Sequence, residues 1–236
     1  MPYLILIVTL CSGIFGEGAI KAMTIPEETD SHSYAPPVGD SLDALINGRL
    51  YQFQSVRNGQ PYFNDQNWVE SSISTRYETF TNVLVKYDIF QDMLITPLYL
   101  KEGTYAVVLN PQYIRSFTLG THTFVNLNST IPSCNVSYSG YYEVLYDGDL
   151  KMLVKWQKVI TDEDKISGAD FELVKTLYLF SDNHLYRLKR NRSLIKLFPE
   201  HKKAIRNYIR DNQVYLNRSG NDALIKLTEF IDHLTD

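Results

Sequence analysis

Cysteine is nearly missing from this chain. Its 236 residues include two, and one of them, Cys11, sits in an apolar N-terminal run. If that run is a removed leader, Cys134 stands alone and no intramolecular disulfide can form, so the fold has to rest on its core. The five histidines (32, 122, 184, 201 and 233) are scattered. No His-x-His pair and no His-Glu-x-x-His occurs, so a Cys/His zinc site is not expected. There is no Gly-x-Ser-x-Gly, no P-loop and no dinucleotide fingerprint, and no cofactor is expected. Positive charge is in overall deficit. The formal net charge of −4 at pH 7 argues against nucleic acid as a partner of the whole surface. The apolar run at residues 3–15 (YLILIVTLCSGIF) is shorter than the roughly 20 residues that cross a bilayer as a helix.

That run has the length of a signal-peptide core, and small residues follow it at Gly16, Gly18, Ala19 and Ala22. Residues 1–22 are therefore read as a signal peptide. This gives an exported protein, periplasmic or outer-membrane-associated, with no membrane span once the leader is gone. Met1-Pro2-Tyr3 carries no positive charge, and the competing reading is a buried N-terminal strand or helix. Val8-Thr9-Leu10 lacks the small residue that lipid attachment at Cys11 requires. Glycosylation sequons at Asn128, Asn135, Asn191 and Asn217 matter only in a glycosylating pathway.

Residues 23–40 are polar and proline-bearing, which reads as a lead-in to a single domain over 41–236. The 17 Tyr and 11 Phe, with many Val, Ile and Thr, suit a pleated, half-buried surface. Ser41–Ile46 reads as a short helical turn. Alternation then begins at Leu50–Val56 and breaks at Asn58-Gly59, a strong hairpin signal. VLVKYDIF and MLITPLYL flank Gln91-Asp92. YAVVLN ends at Asn110-Pro111, IRSFTL and HTFVNLN flank Gly120-Thr121, and two long alternating segments flank Asp147-Gly148. A final hairpin closes around Ser181-Asp182-Asn183-His184. About 9–11 strands joined by short turns predict a mainly β (α+β) fold: an antiparallel meander forming a barrel, half-barrel or sandwich. Two C-terminal helices follow over about 194–234. Pro199 and Glu200 are expected in the first turn of one, and Ser219 is expected as the cap of the other.

Few residues suggest chemistry. Ser193-Leu-Ile-Lys196 and Ser181-Asp182-Asn183 match two motifs of penicillin-recognising enzymes, but in reversed order, ten residues apart and without Lys-Thr-Gly. A cap and a turn explain them better, and no catalytic residue is assigned. Asp162-Glu163-Asp164 with Asp170 reads as a solvated acidic loop, because Ser167 stands where an EF-hand needs glycine. Asp88 and Asp92 are turn-forming aspartates or, alternatively, the paired carboxylates of an envelope or glycan hydrolase. The main anomaly is the basic run, in which Arg187, Lys189, Arg190, Arg192, Lys196, Lys202, Lys203, Arg206 and Arg210 face the single acid Glu200. Of these, Arg187, Lys189, Arg190, Arg192, Lys202, Lys203 and Arg206 are the candidate contacts to an anionic lipid, an envelope component or a protein partner. The competing reading is a solvated helix face.

NGRLYQFQSVRNGQPYFND, VKYDIFQDMLI, GYYEVLYDGDLKMLVK and LYRLKRNRSLIKLFPEHKKAIRNYIRDN together resemble exported β-rich proteins of Gram-negative bacteria that have no assigned activity. The resemblance covers about residues 48–216 and implies a location without a mechanism. In outline the meander is also similar to the half-barrel lipoprotein carriers of the periplasm. The expected role is binding or interaction, with a lipid or other apolar ligand on the concave sheet face, or with a partner on the basic helix.

Overall fold

The computed structural model describes residues 45–52, 59–64, 67–127, 139–161 and 170–235. Readings that fall on the leader, the lead-in, Ser41, His32, Arg57-Asn58, Cys134, the Asn128 and Asn135 sequons or the 162–167 loop lie outside the described residues.

Eleven strands form one antiparallel sheet: β1 (Ile46–Leu50), β2 (Val69–Thr75), β3 (Thr79–Asp88), β4 (Met93–Leu100), β5 (Gly103–Leu109), β6 (Ile114–Leu119), β7 (His122–Asn126), β8 (Tyr141–Asp147), β9 (Lys151–Thr161), β10 (Asp170–Ser181) and β11 (His184–Leu188). Their spatial order is β1-β5-β4-β3-β2-β6-β7-β8-β9-β10-β11, so the ladder does not close and β1 and β11 are its edges. Leu45 closes a 3-10 turn, which is the described end of the expected helical turn, and Ile46 already opens β1 by pairing with Leu109.

The turns follow from side-chain chemistry. Asp88 accepts the N–H groups of Phe90 and Gln91, each at 2.8 Å, and this closes the β3–β4 turn. Asp182 (φ 50°) and Asn183 (φ 61°) both adopt positive φ between the paired Ser181 and His184, as a two-residue hairpin requires. Gly148 serves a different purpose. A Cβ there would stand 2.1 Å from a carboxylate oxygen of Asp232, so the glycine is needed for room rather than for φ. Asp232 accepts from Tyr146 Oη–H at 2.9 Å, Asp149 N–H at 3.1 Å and Leu150 N–H at 2.8 Å, tying the last helix to that turn.

The sheet is strongly curled. Lying flat, β3 and β8 would be four strand steps apart, about 19 Å. Yet the rings of Tyr87 and Tyr141 are 5.7 Å apart, and Tyr87 also meets Phe117 at 5.4 Å and Phe124 at 5.1 Å. These rings, with Ile73, Val85, Leu94 and Ile114, fill the concave face. Edge-to-face pairs of this kind contribute about 0.5–1.5 kcal/mol each beyond burial.

Lysines of β9 seal the roll. Lys155 Nζ donates to Asp92 Oδ2 at 2.7 Å and to the Tyr141 carbonyl at 3.0 Å. Lys158 Nζ donates to the carbonyls of Gln60 and Tyr62, and its backbone N–H donates to the Ile89 carbonyl at 3.2 Å.

Pro97 marks the opposite tendency. The β3–β4 ladder spans only Lys86–Asp88 and Met93–Ile95, and Pro97 has no N–H with which to extend it. Thr96 substitutes its hydroxyl, donating to the Leu84 carbonyl at 2.8 Å. Beyond that point the strands part around a wedge of about 570 Å³.

Among the described residues three α-helices follow β11: α1 (Asn191–Leu197), α2 (Lys202–Asp211) and α3 (Asn221–Thr235). The first expected helix is split in two. The residue before a proline is pushed out of the helical region, and Phe198 accordingly sits at φ −122°, ψ 71°. Pro199 and Glu200 therefore lie in the turn between α1 and α2, and the first turn of α2 holds no acid. Ser219 does not cap α3. Its hydroxyl accepts the Tyr215 N–H at 2.8 Å instead. Leu194, Ile205, Leu224, Leu227 and Ile231 pack on Met152, Val154, Leu177 and Leu179, so the helices cover one face of β9 and β10.

Candidate functional site

A surface site needs side chains that do not serve the fold, and the basic run supplies them. Arg187, Lys189, Arg190, Arg192, Lys196, Lys202, Lys203, Arg206 and Arg210 are all exposed. The structure brings four of them together. Arg192 and Lys196 on α1, and Lys202 and Arg206 on α2, line an open groove of about 650 Å³ together with Ile195 and Pro199. The i,i+4 spacing explains the convergence, since residues four apart share one face of a helix. The two helices meet at an angle set by Pro199, so the two cationic pairs border the same hollow.

Arg187 on β11 and Lys189 and Arg190 in the following link are not part of this lining, nor is Lys203, one position round α2. Lys196 and Arg206 are brought together although they are ten residues apart in sequence. Only Arg210 of the run has an ion pair among the described residues, with the adjacent Asp211 at 2.9 Å.

The groove is electrostatically costly to the free protein. Like charges at i,i+4 destabilise a helix by about 0.2–0.5 kcal/mol per pair. Lys202 and Lys203 also occupy the first turn of α2, where the helix dipole favours acids. Nothing in the lining offsets this, because no acidic residue takes part.

The other candidates resolve as structure. Asp88 is fully buried and takes Tyr51 Oη–H at 2.7 Å and the Gln91 amide at 3.2 Å besides its two backbone donors. Asp92 takes Tyr87 Oη–H at 2.6 Å and Lys155 Nζ. Asp88 thus accepts four donors of the fold and Asp92 two, so both carboxylates serve the turn and the curl of the sheet. The Ser193 hydroxyl donates to the Arg190 carbonyl at 2.6 Å and accepts the Lys189 N–H at 3.0 Å. It braces the start of α1. Asn191 is held on both sides, donating to the Val214 carbonyl at 2.7 Å and accepting Leu216 N–H at 2.9 Å, so its sequon is committed to packing. No cluster of three or more His, Cys, Asp or Glu able to hold a metal occurs among the described residues. No described helix is long and apolar enough to cross a membrane.

The concave face, expected from sequence to take an apolar ligand, is occupied by Tyr87, Phe117, Phe124 and Tyr141 themselves. The alternation that led to that expectation is real, but the sheet curls tightly enough for its own rings to meet. No protein-family model, curated protein or solved structure matches this chain.

Proposed function

We propose that this is an exported binding protein of the cell envelope that docks on anionic lipid headgroups through the groove between α1 and α2. The observation that carries the reading is the convergence of Arg192, Lys196, Lys202 and Arg206 on one hollow without a neutralising acid. Ile195 and Pro199 put apolar surface between the cations, a mixture suited to the boundary between headgroups and acyl chains. Export is supported by the apolar run at residues 3–15.

The test is sedimentation with phosphatidylglycerol vesicles at low salt, with phosphatidylcholine vesicles as the uncharged control. Each basic residue near an anionic surface contributes about 1 kcal/mol, so losing two weakens binding about thirtyfold. Lys202→Glu with Arg206→Glu is expected to lose at least that much. Arg187→Glu with Lys203→Glu changes the net charge equally outside the groove and is expected to lose much less. Equal losses in the two variants would show that the groove is not the site. Wild-type protein that ignores phosphatidylglycerol while an acidic protein partner binds the groove would replace lipid with protein as the target.

A further inference from the structure

Four neighbouring strands each place one polar side chain in a diagonal row: His122 on β7, Glu143 on β8, Trp156 on β9 and Lys175 on β10. His122 Nδ1 lies 2.6 Å from Glu143 Oε1, and Trp156 Nε1–H donates to Glu143 Oε2 at 2.6 Å. Glu143 is 3% exposed. Lys175 stands over the Trp156 ring, 5.2 Å from its centroid, and supplies the compensating charge. Nδ1 is the ring nitrogen that faces the carboxylate, which leaves Nε2 as the nitrogen turned to any further partner. Phe63 packs edge-on against the imidazole at 5.1 Å and fixes its plane.

His122 lines a recess of about 290 Å³ whose wall is largely apolar, with Phe63, Val69, Val85 and Leu119. Lys86 also lines it, with its ammonium over the Trp68 ring at 4.5 Å. A cavity of about 150 Å³ already holds benzene, so one aromatic ring with a substituent fits. We infer that this recess takes a small planar molecule with one acidic hydroxyl, a phenol-type ligand. Its O–H donates to His122 Nε2 while its ring lies on the apolar wall. Glu143 acts as a positioning residue, holding the imidazole in the tautomer that accepts.

The test uses the full chain at neutral pH and two probes: p-cresol, which keeps its O–H there, and 4-methylanisole, which has the same ring but no O–H. Binding is followed by the His122 imidazole resonance in NMR. The phenol is expected to bind saturably and about tenfold more tightly than the ether, the size of one well-made hydrogen bond. In His122→Gln that preference should vanish while the ether still binds, which shows that the recess has kept its shape. In Glu143→Gln the preference should shrink without loss of ether binding. Equal affinity of wild type for the two probes, or no saturable binding of either at millimolar concentration, overturns the assignment. Neither result touches the lipid reading, which rests on α1 and α2.

Discussion

Lys155 and Lys202 carry the same ammonium group and use it in opposite ways. Lys155 is buried on β9, and burial pushes its pKa down against the opposing pull of Asp92. Its charge is spent on Asp92 and the Tyr141 carbonyl, groups that hold the curled sheet together. Lys202 is exposed, has no ion pair among the described residues and borders a hollow with three other cations. A charge that is desolvated and paired belongs to the fold, and one that is hydrated and crowded by like charges is available to a partner. The difference lies in the surroundings, since the two residue types are identical.

The sharpest way to break this contrast is to remove the buried member. Lys155→Met leaves the partly covered Asp92 carboxylate and the Tyr141 carbonyl without their donor. Breaking a buried pair from one side destabilises by about 3 kcal/mol, and urea denaturation should show a loss of that order. A loss below about 1 kcal/mol would mean that the roll does not depend on this seal.

The second way is alkaline titration, which tests the interior as a whole. Burial, then Asp92, pushes the phenols of Tyr87 and Tyr141 upward. Burial, then the hydrogen bond to Asp88, does the same for Tyr51. The unfolded chain releases these protons near pH 10 and the folded chain retains them. Stability is therefore complete below that value and is lost as pH rises beyond it. Lys155 and Lys158, both lowered chiefly by burial, act in the other direction, adding stability until the unfolded lysines discharge near pH 10.4. Above that value only the phenols act. Tyr87 and Tyr141 should each remove about 1.4 kcal/mol per pH unit. Circular dichroism against pH, with phenolate absorbance on the same samples, checks this. Phenolate appearing in full before any loss of structure would contradict a buried location.

The smallest effect has the opposite sign. Lys202→Ala with Arg206→Ala removes a like-charged i,i+4 pair, so stability should rise by a few tenths of a kcal/mol. Thermal unfolding of the double variant measures it. A clear loss of stability would place these side chains with Lys155 as parts of the fold.

Much of this was legible in the sequence, for particular reasons. Alternation located β3 to β11 because each strand buries one face, and Gln91-Asp92 and Asp182-Asn183 marked their turns through short-range chemistry. Pro199 reads from sequence as the start of a helix, but its steric effect on Phe198 makes it a break, with Ile195 and Ile205 packed on either side. The basic run was visible as composition, but which four residues converge depends on how α1 and α2 meet. The row of His122, Glu143, Trp156 and Lys175 is not legible as a row, since strand register assembles it across more than fifty residues. One signal was present: Glu143 lies in phase with the buried Tyr141, and Lys155 with the buried Leu153, both charged residues in core positions of their strands. A charge in that phase marks a place where the interior does something other than pack.

The seal on β9 has a consequence for the order of events in the chain's life. Lys155 reaches back 63 residues to Asp92, and Lys158 reaches back 98 to Gln60. Every strand from β1 to β8 has been synthesised before either lysine exists, and strand pairing over such separations is slow to form. Until Lys155 and Lys158 have been made, neither of these fastenings exists, and the rings of Tyr87, Phe117, Phe124 and Tyr141 share an unfinished enclosure with water. The last few residues of one strand decide when the interior becomes an interior.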